Sequence, residues 1–258
     1  MNFVHRVGAD KFMKIALCLS GHLRNGDHTC FPSLKKIILD KYDCDTFLSS
    51  WDVNAFTTEA YRDKKSYENP GKDGNIYDRL VNTYKPKKFN IETGKPTWLV
   101  NVENEWGDKK VKHGGAFVSP IQAMFKKMED ADILRREYET ENNFKYDLVI
   151  RIRFDIHPID DFICSTRHIW ENKNVVVTKP DLNPDAIRDI LFFGNSDIMS
   201  LATSCFSMKS LNETNYNTFI NAEHALRHHM ISNNINHEKT DLIKYVLNIR
   251  PQTMNEVK

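Results

Sequence analysis

The stretch Tyr146–Pro158, YDLVIRIRFDIHP, decides how the chain is read. Its Val, Ile, Leu and Phe content is that of a buried β-strand. Side chains of a strand alternate between two faces, so Leu148, Ile150, Ile152, Phe154 and Ile156 share one side. The other side carries Arg151, Arg153 and Asp155. Such a row of charges belongs either to a solvated strand face or to a face that holds something charged.

Working outward, Ile121, Met124, Phe125, Met128, Ala131, Leu134 and Tyr138 recur at helical spacing and predict a long helix ending near Glu141. Ser119 suits its N-cap, Pro120 its first position, and Gln122 a capping box. Gly114-Gly115 before it reads as a turn. Nearer the N-terminus, KIALCLS predicts a buried strand over Lys14–Leu19, with a turn at Gly21. A helix over Pro32–Lys41 follows, with Leu34, Ile37 and Ile38 on one side, then a second strand over Cys44–Trp51. This strand–helix–strand order predicts parallel strands joined by a crossover helix. Residues 52–113 are less regular, with ENPGKDGN as a loop, a helix beginning near Tyr77 and a third strand over Lys88–Glu92. Further strands are expected over Asn174–Lys179 and Asp189–Ser196. A helix over Asn221–Ser232 has Ala222, Ala225, Leu226 and Met230 on one face.

No internal repeat and no linker demands a break, so residues 1–258 read as one domain, with halves of about 14–157 and 158–252. Apolar content of 40% and charged content of 28% are those of a soluble globular protein. A net charge of +1 supplies no global field for nucleic acid or membrane, so no nucleic-acid partner is expected. The five cysteines are spread without C-x-x-C or zinc-ligand spacing, which points to a reducing, cytoplasmic setting. No run approaches the ~20 apolar residues of a transmembrane helix, and the first residues lack a signal peptide's apolar centre. The sequon at Asn212 needs a secretory context that nothing here supplies.

Four segments, LCLSGHLRN, DTFLSSWD, YDLVIRIRFDI and DILFFGNSDIM, followed by AEHALRHHMISNNI, stand in a definite order. Together they resemble nucleotide-sugar-dependent glycosyltransferases with a GT-A-type fold, including the WavE-type lipopolysaccharide family and bacterial and viral relatives. Shared patterns are S-G-x-x-R closing the first strand, Y-D-x-V-I-R-x-R-x-D where other such enzymes carry D-x-D, and a D-x-x-x-x-G strand. The resemblance implies a GT-A-like (Rossmann-like) mixed, mostly parallel α/β sheet flanked by helices. It also implies transfer of a sugar from a nucleotide-sugar donor to a saccharide or glycoconjugate acceptor, as in polysaccharide biosynthesis. Residues 14–157 would then be the nucleotide-binding half and 158–252 the acceptor side.

The resemblance assigns roles to particular residues. Asp155 would replace the second acid of D-x-D and bind Mn²⁺ or Mg²⁺, although Arg153 stands where the first acid belongs. Arg151 and Arg153 would orient that carboxylate or touch the donor, since a guanidinium fork pairs with phosphate. Ser20, Gly21 and Arg24 would approach the donor at the end of strand one, and Trp51 would stack on its base or sugar. Asp52 would meet a base or ribose edge. Asp189 would contact the donor sugar or the acceptor, and Glu223 would be the general base. Plainer readings stand beside these: an exposed βα turn at Arg24, a core Trp51, a turn residue at Asp189, and a Glu223–Arg227 helical ion pair. His22, His157 and the cluster His224, His228 and His229 read as ordinary surface or helix histidines. Two other functions stay open: a nucleotidyltransferase or nucleotide-sugar hydrolase, and a non-catalytic sugar- or nucleotide-binding protein.

Overall fold

A computed structural model describes residues 13–24, 26–52, 75–93, 96–106, 109, 118–212, 219 and 221–247. The loop expected in ENPGKDGN, apart from its last residue Asn75, and the Gly114-Gly115 turn lie outside these residues, whereas Asn212 of the sequon lies within them.

The described strands are β1 (Lys14–Ser20), β2 (Asp43–Trp51), β3 (Lys88–Glu92), β4 (Leu148–Arg153), β5 (Ile156–Pro158), β6 (Val176–Pro180), β7 (Ile187–Gly194), β8 (His237–Lys239) and β9 (Tyr245–Leu247). Seven form one sheet in the order β3-β2-β1-β4-β7-β6-β8. β7 pairs antiparallel with both β4 and β6, and every other pairing in that sheet is parallel. The architecture is thus the mixed, mostly parallel α/β sheet flanked by helices that the sequence leads one to expect.

Both faces of the central strands are covered, which is why β1 reads as an almost unbroken apolar run. Ile15, Leu17 and Leu19 enter one apolar layer with Leu148, Ile150 and Ile152 of β4. Ala16 and Cys18 enter the opposite layer with Val149. The first layer is completed by the short helix α2 (Phe31–Leu34), which follows α1 (Gly26–Thr29), and by a π-helical turn (Lys35–Leu39), α3 (Ile76–Tyr84), α6 (Phe162–Ser165) and α7 (Arg167–Trp170). The second is covered by α4 (Thr97–Trp106), α5 (Val118–Asn142), α8 (Ser196–Thr203) and α9 (Ala222–Ser232).

Three expectations are corrected. The helix expected over Pro32–Lys41 is α2 running into the π-helical turn, with Leu34, Ile37 and Ile38 buried as read. α5 includes Ser119 inside the helix, and Gln122 donates to the Leu211 carbonyl at 2.6 Å rather than closing a capping box. Tyr146–Pro158 does not run as one strand: β4 stops at Arg153, residues 154–155 turn, and β5 leaves the main sheet to pair with β9. The apolar alternation nevertheless holds, because Phe154 and Ile156 enter the same layer as Leu148, Ile150 and Ile152.

α5 ends in a left-handed Asn143, with the Phe144 N–H returning to the Glu139 carbonyl at 3.1 Å. That closure satisfies carbonyls left open by the last turn. On the helix's inner side Arg135, fully buried, donates to Asp132 at 2.6 Å, to Glu139 at 2.7 Å and to Ser200 at 2.7 Å. A buried guanidinium is tolerable only when so partnered. The apolar stripe read from the sequence is therefore only part of what α5 buries.

Candidate functional site

The carboxyl ends of β1, β2, β3, β4 and β6 share one edge of the sheet with the start of β7. Successive connections leave β1 toward β2 on one side, whereas β4 lies on its other side. Between β1 and β4 the strand order therefore reverses, and open α/β sheets bind ligands in the crevice at that point.

Arg24 follows β1 and Arg153 ends β4, one on each side of the reversal. Both reach Asp155. Arg153 donates from Nε to Oδ1 at 3.0 Å and from Nη2 to Oδ2 at 2.6 Å, while Arg24 Nη1 reaches Oδ2 at 2.9 Å. Burial would raise the Asp155 carboxyl, but the charges of Arg153 and then Arg24 outweigh it and hold it below the usual carboxylate range. Asp155 is 3% exposed. The Arg24 and Arg153 side chains that cover it stay partly exposed. The donor set at Asp155 does not fit a divalent ion: both oxygens are taken by guanidiniums, and the described residues include no metal-sized group of three His, Cys, Asp or Glu side chains.

The turn after β1 is built for this geometry. Gly21 has φ 107°, a conformation other residues rarely adopt, and Arg24 is itself left-handed at φ 47°. Such a backbone in a non-glycine residue costs about 1 kcal/mol or more and collects at functional sites. Gly21 is committed to β2, its N–H donating to Ser49 O at 3.1 Å and its carbonyl accepting from Ser50 Oγ at 2.8 Å. Ser20 is buried, and among the described side chains of this turn His22 and Arg24 project partly into the open.

Trp51, expected to stack on a ligand, is 3% exposed. His22 stacks on it with centroids 4.4 Å apart, and the Lys127 ammonium lies 4.7 Å from its ring centre. Lys127, buried on α5, pairs with Glu92 at the end of β3, whose other oxygen accepts from Trp98 Nε1 at 2.6 Å. Burial lowers the Lys127 ammonium, and Glu92 opposes that shift. Trp51 is therefore a packed member of a cationic and aromatic cluster, as its plainer reading had it. Lys127 and Glu92 carried no sequence signal, because a lysine on an amphipathic helix reads as solvated until a neighbouring strand covers it.

Two residues before Arg153 on β4, Arg151 is 1% exposed, with its guanidinium 5.8 Å from the Phe192 ring centre. Its Nε and Nη1 have no hydrogen-bond partner among the described residues. Burial pushes this guanidinium down to about 10, against the opposing pull of Asp189. The β6–β7 register shifts between Thr178 and Pro180. Across that irregularity Phe193, Leu191 and Ile190 enter the first layer, yet Ile187 enters the second. The slip turns Asp189 to Arg151's side of the sheet.

Glu223 lies in the first turn of α9, whose N-cap Asn221 accepts from the His224 N–H at 3.1 Å. Its carboxyl is pushed up to about 7, first by burial and then by the charge of Asp189. The expected Glu223–Arg227 pair is not the one formed: Arg227 lies 3.6 Å from Asp185. Asp181 pairs with Arg188 at 2.8 Å, and both act on Glu223. The histidines of α9 make local contacts, His224 with Asn221 and Asn183 and buried His229 with Ser210 and the Leu201 carbonyl. His157 and Asp52 are half-buried.

The edge therefore carries an arginine–carboxylate trio at the strand reversal and, near Arg151, Asp189, whose charge pushes up the Glu223 carboxyl. No protein-family model matches the chain, and no curated protein does. Among solved structures it is similar to mouse xyloside xylosyltransferase 1 in its apo form, with 8% sequence identity, a TM-score of 0.44, and coverage of 89% of this chain and 85% of that one. No helix among the described residues is long and apolar enough to cross a membrane.

Proposed function

We propose that the protein is a nucleotide-sugar-dependent glycosyltransferase with a GT-A-like sheet, moving a sugar to a saccharide or glycoconjugate acceptor. One observation carries the reading. The strand reversal is flanked by guanidiniums suited to a diphosphate, and the same edge carries a carboxyl whose pKa of about 7 suits a general base. Sugar transfer releases a nucleoside diphosphate, and cations placed beforehand at the departing oxygen stabilise the charge that develops there. Arg24 and Arg153 serve that end. Glu223 takes the proton of the acceptor hydroxyl as it attacks the anomeric carbon, so the reaction inverts configuration. Asp189 keeps Glu223's proton affinity high. Arg151, buried against the Phe192 ring, adds positive charge beside Asp189.

A panel of sugar nucleotides, followed by melting shift and by product chromatography, tests the reading. One donor should stabilise the protein and release nucleoside diphosphate slowly without acceptor. Release of nucleoside monophosphate would instead mark cleavage within the diphosphate. Stabilisation with no release under any acceptor would mark a binding protein.

A further inference from the structure

Asp155 stands where the resembling enzymes place a metal-binding acid, yet its surroundings are those of an anchor. Both oxygens accept from arginines, and the carboxyl is nearly closed to solvent. The two arginine side chains keep 27% and 24% of their surface exposed. What this group offers a ligand is therefore guanidinium edge, not carboxylate oxygen. Two guanidiniums around one carboxylate leave a net positive charge, which attracts a diphosphate and repels a divalent ion. Arg153 also occupies the position two before Asp155 where a second acid would help hold a cation. A carboxylate shared by two forks sets them side by side before a ligand arrives, which lowers the ordering cost of binding.

Resting on the transferase reading, we infer that Arg24 and Arg153 neutralise the donor diphosphate directly, with Asp155 as their positioning residue and no divalent cation between. The leaving group is then met by fixed positive charge rather than by a metal-bound oxygen.

Calorimetric titration of the full chain with UDP, GDP, CDP and ADP, each in EDTA and again in Mn²⁺, tests this. One nucleotide should bind with the same Kd in both buffers. Arg24→Gln and Arg153→Lys should each weaken that binding by about tenfold or more, the loss expected for a charge-assisted contact. Asp155→Asn should weaken it in EDTA as well, because the anchor is lost whatever ions are present. Circular dichroism checks that each variant is folded. Binding that appears only with Mn²⁺ overturns the inference, as does an Asp155→Asn variant that binds normally in EDTA and has lost only a Mn²⁺-dependent part. Absence of binding in both buffers removes the transferase reading itself, and this inference with it.

Discussion

Glu223 and Asp155 are two carboxyls of one sheet edge with opposite titration. Asp155 is the more deeply buried, yet it stays ionised because two guanidiniums share it. Glu223 is half-buried and faces the charge of Asp189, so its proton is held to about pH 7. Environments that push two carboxyls apart assign them different work. A general base must be deprotonated to act, so kcat should rise with pH through about 7 and level off above it. Asp189→Asn removes a charge that raises Glu223 and should move that limb to lower pH. Glu223→Gln should cost about 10²–10⁴ in kcat with donor KM little changed. Equal losses in kcat and donor affinity would count against the base. At this scale the sequence supplied candidates and not neighbours. Arg151, Arg153 and Asp155 were legible as one face, but the partner Arg24 lies 131 positions from Asp155, and nothing local announces it.

At the scale of elements, the turn that ends β4 depends on close packing against α1. A Cβ placed on Gly26 would lie 2.1 Å from the Phe154 carbonyl oxygen. Only glycine lets the two backbones approach so closely. Gly26→Ala should therefore push residues 154–155 away, at a cost of about 1–3 kcal/mol in stability by analogy with overpacked sites. It should also weaken nucleoside diphosphate binding, because Asp155 moves with the turn. Chemical denaturation and titration measure the two losses, and unchanged binding in a destabilised variant would separate the turn from the site. Strand and helix positions were largely readable from apolar periodicity, as in β1, β3, α5 and α9. The end of β4 was not. Phe154 and Ile156 keep the strand's alternation, so periodicity continues through a turn that only the pairing of β5 with β9 exposes. The slip in β7 that carries Asp189 to Arg151's side was equally silent, since a bulge is defined by its partner strand.

For the whole molecule, the same carboxyl shifts bear on stability. Glu223's folded pKa is raised above the ordinary glutamate value of 4.5 to about 7, so its contribution is full below about 4.5 and is lost as pH rises toward 7. Asp155 has the opposite sign: its folded pKa is depressed, so its contribution is present at neutral pH and is lost in acid. The melting temperature of Glu223→Gln relative to the unaltered protein should therefore climb between about pH 4.5 and 7 and stay constant above. A difference that is flat across that window would show that Glu223 ionises freely. By itself the sequence determined the alternation and helical spacing that build a two-faced α/β sheet, because those periods are local consequences of backbone geometry. It also determined which ionisable groups were available. The tertiary structure decided which of them meet: the pairing of β1 beside β4 that brings Arg24 to Asp155, the register slip that turns Asp189 inward, and the cover that buries Lys127 and Trp51. Those outcomes depend on contacts between residues far apart in the chain, where Coulomb attraction and desolvation act through distance and not through order along the backbone.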